Sequence, residues 1–254
     1  MNRPIWQGVY KDFSEVPAEG PGHSGEQWIK NSLKKIDQLR KLADQPKTVP
    51  LVTAYRESLL PLLSSLVYAE TGRVRILDFG GGLGFTYYQV AGGLPDTAHL
   101  EFHIIEMGEV CEAGKVFFQN EPKIFFHAEL PTEVNEFDIV HIGSSLQYVE
   151  DWRNVMASLC GYQPGYILFT DLPAGDIRTY ASSQYYYGSK MPCWFFNVAE
   201  VIGAVCENGY GLIFKASYMS RILNEEQPYP QANFSEEYRL GYPGILLFKR
   251  KEDR

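Results

Sequence analysis

The stretch Leu77-Asp78-Phe79-Gly80-Gly81-Gly82-Leu83-Gly84-Phe85 decides the fold. Val74-Arg75-Ile76-Leu77 leads into it as a short buried strand, and Phe85 to Val90 opens a helix after it. Glycines at such a strand-to-helix turn let the backbone approach a ligand closely, and the helix start offers free N–H groups. Asp78, Gly80, Gly82 and Gly84 fit the spacing D-x-G-x-G-x-G. The dinucleotide spacing G-x-G-x-x-G fails, because Phe85 stands where its last glycine or alanine would fall.

Outward from this loop the chain alternates between strand and helix. Strands are expected at Leu100 to Ile105, Lys123 to Phe126, Phe137 to Ile142 and Tyr166 to Thr170. Helices fall between them at Val110 to Phe118 and around Val149, Trp152, Val155, Met156 and Leu159. Alternation of this kind predicts a parallel sheet covered by helices on both faces. Asn197 caps a further helix with Val198, Val201, Ile202 and Val205, closed by Asn208-Gly209. Leu212 to Tyr218 and Ile245 to Lys249 then follow as strands with no helix between them, so they pair antiparallel. The expected sheet has seven strands, ending in that pair.

Upstream, Ser24 and Gln27 have capping-box spacing before a helix carrying Ile29, Leu33 and Ile36. A second helical pattern runs from about Val49 to Ala69, with Tyr55, Leu59, Leu62, Leu63 and Leu66 on one side and a kink expected at Pro61. Residues 1–72 are therefore expected to form an N-terminal helical extension, and residues 73–254 the α/β domain.

Composition narrows the function. Of 254 residues, 23 are basic and 31 acidic, a net charge of −8, and no Lys/Arg cluster stands out, which argues against nucleic acid as a partner. No apolar run reaches the roughly 18 residues of a membrane-spanning helix, so no membrane insertion is expected. The start has no signal-peptide core. Cys111, Cys160, Cys193 and Cys206 show no CxxC spacing and read as reduced thiols of a cytoplasmic protein. His23, His99, His103 and His127 show no metal-ligand spacing, so no metal is expected.

The D-x-G-x-G-x-G loop resembles motif I of class I S-adenosylmethionine (SAM) dependent methyltransferases. Glu106, at the end of the next strand, matches the family's second motif, whose carboxylate accepts both ribose hydroxyls. Ala128-Glu129 matches the adenine-side loop, and Phe137 to Tyr148 resembles motif IV and the segment after it. The resemblance covers roughly residues 73 to 250. It implies a Rossmann-like seven-stranded methyltransferase sheet and a SAM site, S-adenosylhomocysteine being the product. That site would be built from Asp78, Phe79, Gly80, Gly81, Gly82, Gly84, Glu106, Met107, Ala128, Glu129, Gly143 and Ser144. A narrower resemblance lies in Trp6-x-Gly8-Val9-Tyr10-x-x-Phe13, the aromatic loop around Tyr185 to Phe196 and the chain length. These are similar to a family of bacterial methyltransferases associated with surface-polysaccharide biosynthesis, which implies a sugar-like acceptor.

In this fold ligands sit over the carboxyl ends of the strands. The segment Asp171 to Phe196 follows the fifth strand there and reads as a loop rich in aromatic residues. Tyr180, Tyr185, Tyr186 and Trp194 are candidates to stack on an acceptor, and Arg178 to hold an anionic group on it. About half of the segment's rings are expected to be structural. The segment around Trp6 and Tyr10 reads equally as a lid over the site and as a segment that only packs along the sheet edge. Methyl transfer to oxygen needs a base, and His141, Asp171 and Tyr148 are candidates by position. The leading expectation is transfer to a small-molecule or sugar-like acceptor at oxygen. A non-catalytic SAM-binding regulatory or assembly protein is the alternative, a nicotinamide-dependent oxidoreductase the third reading, and a homodimer is left open.

Overall fold

The structure is a computed structural model that describes residues 4–43, 58–134, 136–217, 221–222, 225–226 and 228–252. In chain order its elements are β1 (Trp6–Tyr10), α1 (Glu26–Ala43), α2 (Leu59–Thr71), β2 (Val74–Phe79), α3 (Phe85–Gly93), β3 (Leu100–Ile105), α4 (Gly108–Phe117), β4 (Ile124–His127), β5 (Ile139–Gly143), α5 (Trp152–Gly161), β6 (Tyr166–Leu172), β7 (Ala174–Gly175), β8 (Tyr180–Tyr186), β9 (Ser189–Asn197), α6 (Val198–Glu207), β10 (Tyr210–Ser217), β11 (Arg221–Ile222), β12 (Glu225–Glu226) and β13 (Gly244–Arg250).

One sheet has seven strands in the order β10-β13-β6-β5-β2-β3-β4. β2 runs parallel to both β3 and β5, and β3 runs parallel to β4. β10 and β13 pair antiparallel. The seven strands read from the alternation are these seven. Their near-continuous apolar runs suit a sheet covered on both faces: Ile76, Leu77, Leu100, Phe102, Ile104, Ile139 and Val140 are buried.

The chain divides into two compact units. The first comprises Met1–Gly25, Gly143–Gln163 and Leu168–Arg254; the second comprises Glu26–Ile142 and Pro164–Ile167.

In the first unit, four strands form a separate sheet in the order β1-β8-β9-β7. The segment expected as an aromatic loop is therefore largely a hairpin, with β8 and β9 paired from Tyr180↔Phe195 to Tyr186↔Ser189. Its turn residues Tyr187 and Gly188 have φ of 46° and 79°, the double left-handed backbone of a tight hairpin turn. β1 pairs antiparallel with β8, Trp6 opposite Gln184, which makes the N-terminal segment an edge strand of this sheet. Trp6, Ile177, Tyr180, Cys193, Phe195 and Phe234 form its buried cluster. Asn197 caps α6 as expected, its side-chain oxygen accepting from the N–H groups of Ala199 (2.9 Å) and Glu200 (3.3 Å).

Two helical expectations are corrected. Ser24 does not cap α1: its hydroxyl donates to the Pro21 carbonyl at 2.8 Å within a 3-10 turn, and Gln27 donates to Asn31 instead. Pro61 lies in the first turn of α2, where its missing N–H costs nothing, so it marks a helix start rather than a kink. The buried face of α2 is Leu60, Leu63, Ser64 and Val67, while Leu62 and Leu66 are exposed. The 49–57 part of that expected helix, with Tyr55, lies outside the described residues, as does Tyr218.

Candidate functional site

The glycine loop lies wholly in the second unit. Gly80, Gly82 and Gly84 have φ of 68°, 58° and 83°, a left-handed backbone that residues with a Cβ adopt only at a cost. Gly84 also serves packing: a Cβ there would sit 3.0 Å from Ile124 Cδ1 and 3.1 Å from Ile104 Cδ1. A Cβ on Gly81 would lie 2.5 Å from Asp78 Oδ2. At Gly82 there is room, since the nearest protein atom, on Trp28, would be 3.6 Å away. The loop thus packs tightly onto the sheet at Gly84, whereas a Cβ on Gly82 would meet only ordinary contacts.

Asp78 anchors the loop from below. It is 1% exposed, its Oδ2 accepts from the Thr86 hydroxyl at 2.5 Å, and its Oδ1 lies 2.7 Å from His141 Nδ1. Asp78 and His141 are register partners on β2 and β5, so the sheet itself places them together. The ring of His141 is buried beneath the loop, spending one nitrogen on a carboxylate. Thr86 was not singled out in the sequence; its position as the second residue of α3, directly after the glycine loop, was the available signal.

Glu106 follows β3. Its Oε1 accepts from the Gly82 N–H at 3.1 Å and its Oε2 from the Met107 N–H at 2.9 Å. Burial pushes its pKa up, the two N–H groups pull it back in part, and the negative charge of Asp78 adds to the rise. A carboxylate has about four lone-pair sites, so each oxygen keeps acceptor capacity for a ligand hydroxyl. Met107 is exposed and caps α4; Ala128 and Glu129 are exposed just past β4. Phe79 ends β2. Nearby, His103 Nδ1 and His127 Nε2 lie 3.0 Å apart, and burial lowers the His103 pKa to about 4.

The remaining sequence candidates lie in the first unit. Gly143 ends β5, and Ser144 beyond it has φ of 54°, with its N–H donating to the Thr170 carbonyl at 2.9 Å. Asp171, near the end of β6, has φ of 52°, and its Oδ1 accepts from the Tyr229 hydroxyl at 3.3 Å. Two non-glycine residues in this region of backbone are sites of stored strain. The Tyr148 hydroxyl donates to Gln184 Oε1 at 2.8 Å, and burial raises its pKa. Tyr180 is buried, its hydroxyl donating to the Tyr238 carbonyl and accepting from Gln231. The Trp194 indole N–H donates to the Val149 carbonyl at 3.1 Å. Tyr185, Tyr186 and Arg178 are exposed. Of the seven rings in the segment, Tyr180, Phe195 and Phe196 are buried. His23, Gln184 and Tyr229 meet these groups from sequence positions far apart, which no local motif could have shown, whereas Gln147 lies within the Phe137 to Tyr148 stretch and was not singled out there.

Among the described residues, no helix is long and apolar enough to cross a membrane, and no group of three His, Cys, Asp or Glu could hold a metal ion. No family model matches the chain, and no curated protein matches it. Solved structures do. A Listeria monocytogenes protein assigned as a SAM-dependent methyltransferase superposes with a TM-score of 0.54 at 11% identity, covering 79% of this chain and 100% of that one. A SAM-dependent methyltransferase from Methanosarcina mazei gives 0.52 at 10% identity, covering 71% and 94%. The [4+2]-cyclase SpnF gives 0.50 at 14% identity, covering 94% and 99%. The fold is that of the class I SAM-dependent methyltransferases. At these identities the likeness concerns the fold alone.

Proposed function

We propose that the protein is a SAM-dependent methyltransferase acting on a small-molecule or sugar-like acceptor, at oxygen. The observation that carries this is the Gly82–Glu106 hydrogen bond within a loop whose three motif glycines all have left-handed backbone. The residues fit the cofactor: Glu106 retains lone pairs for ribose hydroxyls, and the left-handed glycine backbone beside it carries no Cβ that would stand between the loop and a ligand. Met107, Ala128 and Glu129 would flank the adenosine portion, as the family resemblance implies. Bound there, SAM would supply an electrophilic methyl group on a sulfonium, leaving S-adenosylhomocysteine.

Asp78, Thr86 and His141 hold the loop from beneath. Asp171 is the preferred base for the acceptor's proton. It is partly exposed at the carboxyl end of its strand and holds a strained backbone, whereas His141 is buried against Asp78 and the Tyr148 hydroxyl is a donor whose pKa burial raises. Tyr185, Tyr186, Trp194 and Arg178 remain proposed acceptor contacts, Gly143 and Ser144 proposed cofactor contacts, and a cytoplasmic location and a surface-polysaccharide acceptor belong to the same reading. Calorimetric titration with SAM, S-adenosylhomocysteine and NADH tests it. Micromolar binding of the first two without NADH is the expected result; NADH binding that SAM does not displace overturns it.

A further inference from the structure

We propose that Gln147 determines acceptor specificity, its Oε1 receiving a hydrogen bond from an O–H or N–H of a neutral acceptor. This rests on the methyl-transfer reading above. Gln147 is 5% exposed in the 3-10 turn Leu146–Tyr148, three residues beyond Ser144, where the chain leaves the carboxyl end of β5. Ligands of this fold class bind at those strand ends. Its Nε2 donates to Ser144 Oγ at 3.2 Å, but its Oε1 has no hydrogen-bond partner among the described residues. A buried acceptor without a donor loses its hydration and gains nothing in exchange. Methionine has almost the same shape and would avoid that loss. A glutamine kept at such a position is explained if its missing donor arrives with a ligand.

The surroundings set the class of that ligand. Ser144 is a neutral hydroxyl. Tyr148, the next residue, is held as a phenol by burial and donates to the Gln184 amide. The His23 ring lies 4.7 Å edge-on from Tyr148 and 5.5 Å from Tyr186, and burial keeps that imidazole neutral. A charged acceptor would meet no counter-charge from these groups, whereas a neutral hydroxyl or amine would satisfy Gln147.

The test compares Gln147→Met with Gln184→Met, whose amide is already used by Tyr148. Gln147→Met is expected to melt about 2–4 °C above the parent and Gln184→Met a similar amount below it. Methyl transfer is then measured on two neutral probes, phenol and methyl glucoside, and on glucose 6-phosphate. The parent is expected to favour a neutral probe, and Gln147→Met to raise KM for it at least tenfold with S-adenosylhomocysteine binding unchanged. The proposal is overturned if Gln147→Met melts below the parent, which would mean that the protein or a buried water already satisfies the amide. It is equally overturned if KM does not change, or if glucose 6-phosphate is the best acceptor. Failure of the parent to bind S-adenosylhomocysteine would instead overturn the methyl-transfer reading, and the melting comparison still decides whether Oε1 lacks a partner.

Discussion

Two glycines of one loop, with similar backbone, are expected to respond differently to the same added methyl group. Gly82 and Gly84 have φ of 58° and 83°, so alanine at either position carries the left-handed penalty of about 1–2 kcal/mol. At Gly82 that is the whole cost, because the new Cβ would meet nothing nearer than 3.6 Å. At Gly84 the Cβ would press on Ile124, Ile104 and Phe118 at 3.0, 3.1 and 3.3 Å, adding an overpacking cost of about 1–3 kcal/mol. Gly84→Ala should therefore lose about 2–5 kcal/mol, and Gly82→Ala about 1–2 kcal/mol. Ligand affinity should reverse the ranking. Gly82 donates its N–H to Glu106 and is the proposed cofactor contact, so Gly82→Ala should weaken SAM binding at least tenfold, about 1.4 kcal/mol. Urea denaturation measures the first quantity and calorimetric titration the second. If Gly82→Ala binds SAM like the parent, or is destabilised as much as Gly84→Ala, the division into a packing glycine and a ligand glycine is wrong.

Glu106→Ala should weaken SAM and S-adenosylhomocysteine by roughly ten- to a hundredfold, from the loss of a charged acceptor worth about 1.5–3 kcal/mol, as read by the same titration. Trp6→Ala should cost about 3–5 kcal/mol in chemical denaturation. Trp6 is buried, stacks on Tyr229 at 4.8 Å and meets Phe195 edge-on at 5.6 Å. Stability should also fall on acidification through His23 and His103, whose pKa values burial lowers from 6.5 to about 4. The unfolded chain binds more protons between those values, so their contribution is complete above pH 6.5 and declines towards pH 4. The decline is up to about 1.4 kcal/mol per pH unit for each imidazole. Melting temperature against pH shows this, and His23→Phe and His103→Phe should each flatten the slope.

What was legible in the sequence was local. The seven sheet strands showed because each buried strand is a short apolar run bounded by a turn, and the Asn197 cap showed because the N–H groups it accepts from lie two and three residues away. The hairpin β8–β9 was hidden because Tyr185-Tyr186-Tyr187-Gly188 carries no apolar–polar alternation, and aromatic richness fits a loop as well as a strand. Likewise α2 revealed its leucines but not its face, since Leu59, Leu60, Leu62, Leu63 and Leu66 offer more than one apolar stripe. The loop and Glu106 were legible as a spacing. The Asp78–His141 pair was not, because it depends on β2 and β5 being neighbours in register, a long-range fact.

The scaffold alone does not choose the reaction. A [4+2]-cyclase matches this fold about as well as proteins described as methyltransferases do, so the chemistry must be argued from side chains outside the shared loop. The backbone offers a way to find them. Ser144 and Asp171 hold φ of 54° and 52° at the ends of two sheet strands, and the Ser144 N–H bonds to the residue before Asp171. Glycine would adopt either conformation without the penalty of about 1–2 kcal/mol that a Cβ incurs there. Ser144 Oγ accepts from Gln147 and Asp171 Oδ1 accepts from Tyr229, so each strained residue presents a polar side chain that glycine could not. Strain retained together with such groups is what a site for aligning an acceptor and taking its proton requires. If the proposed roles of Asp171, Ser144 and Gln147 hold, the distinction between methyl transfer and any other chemistry of this fold rests with them more than with the glycines that first disclosed it.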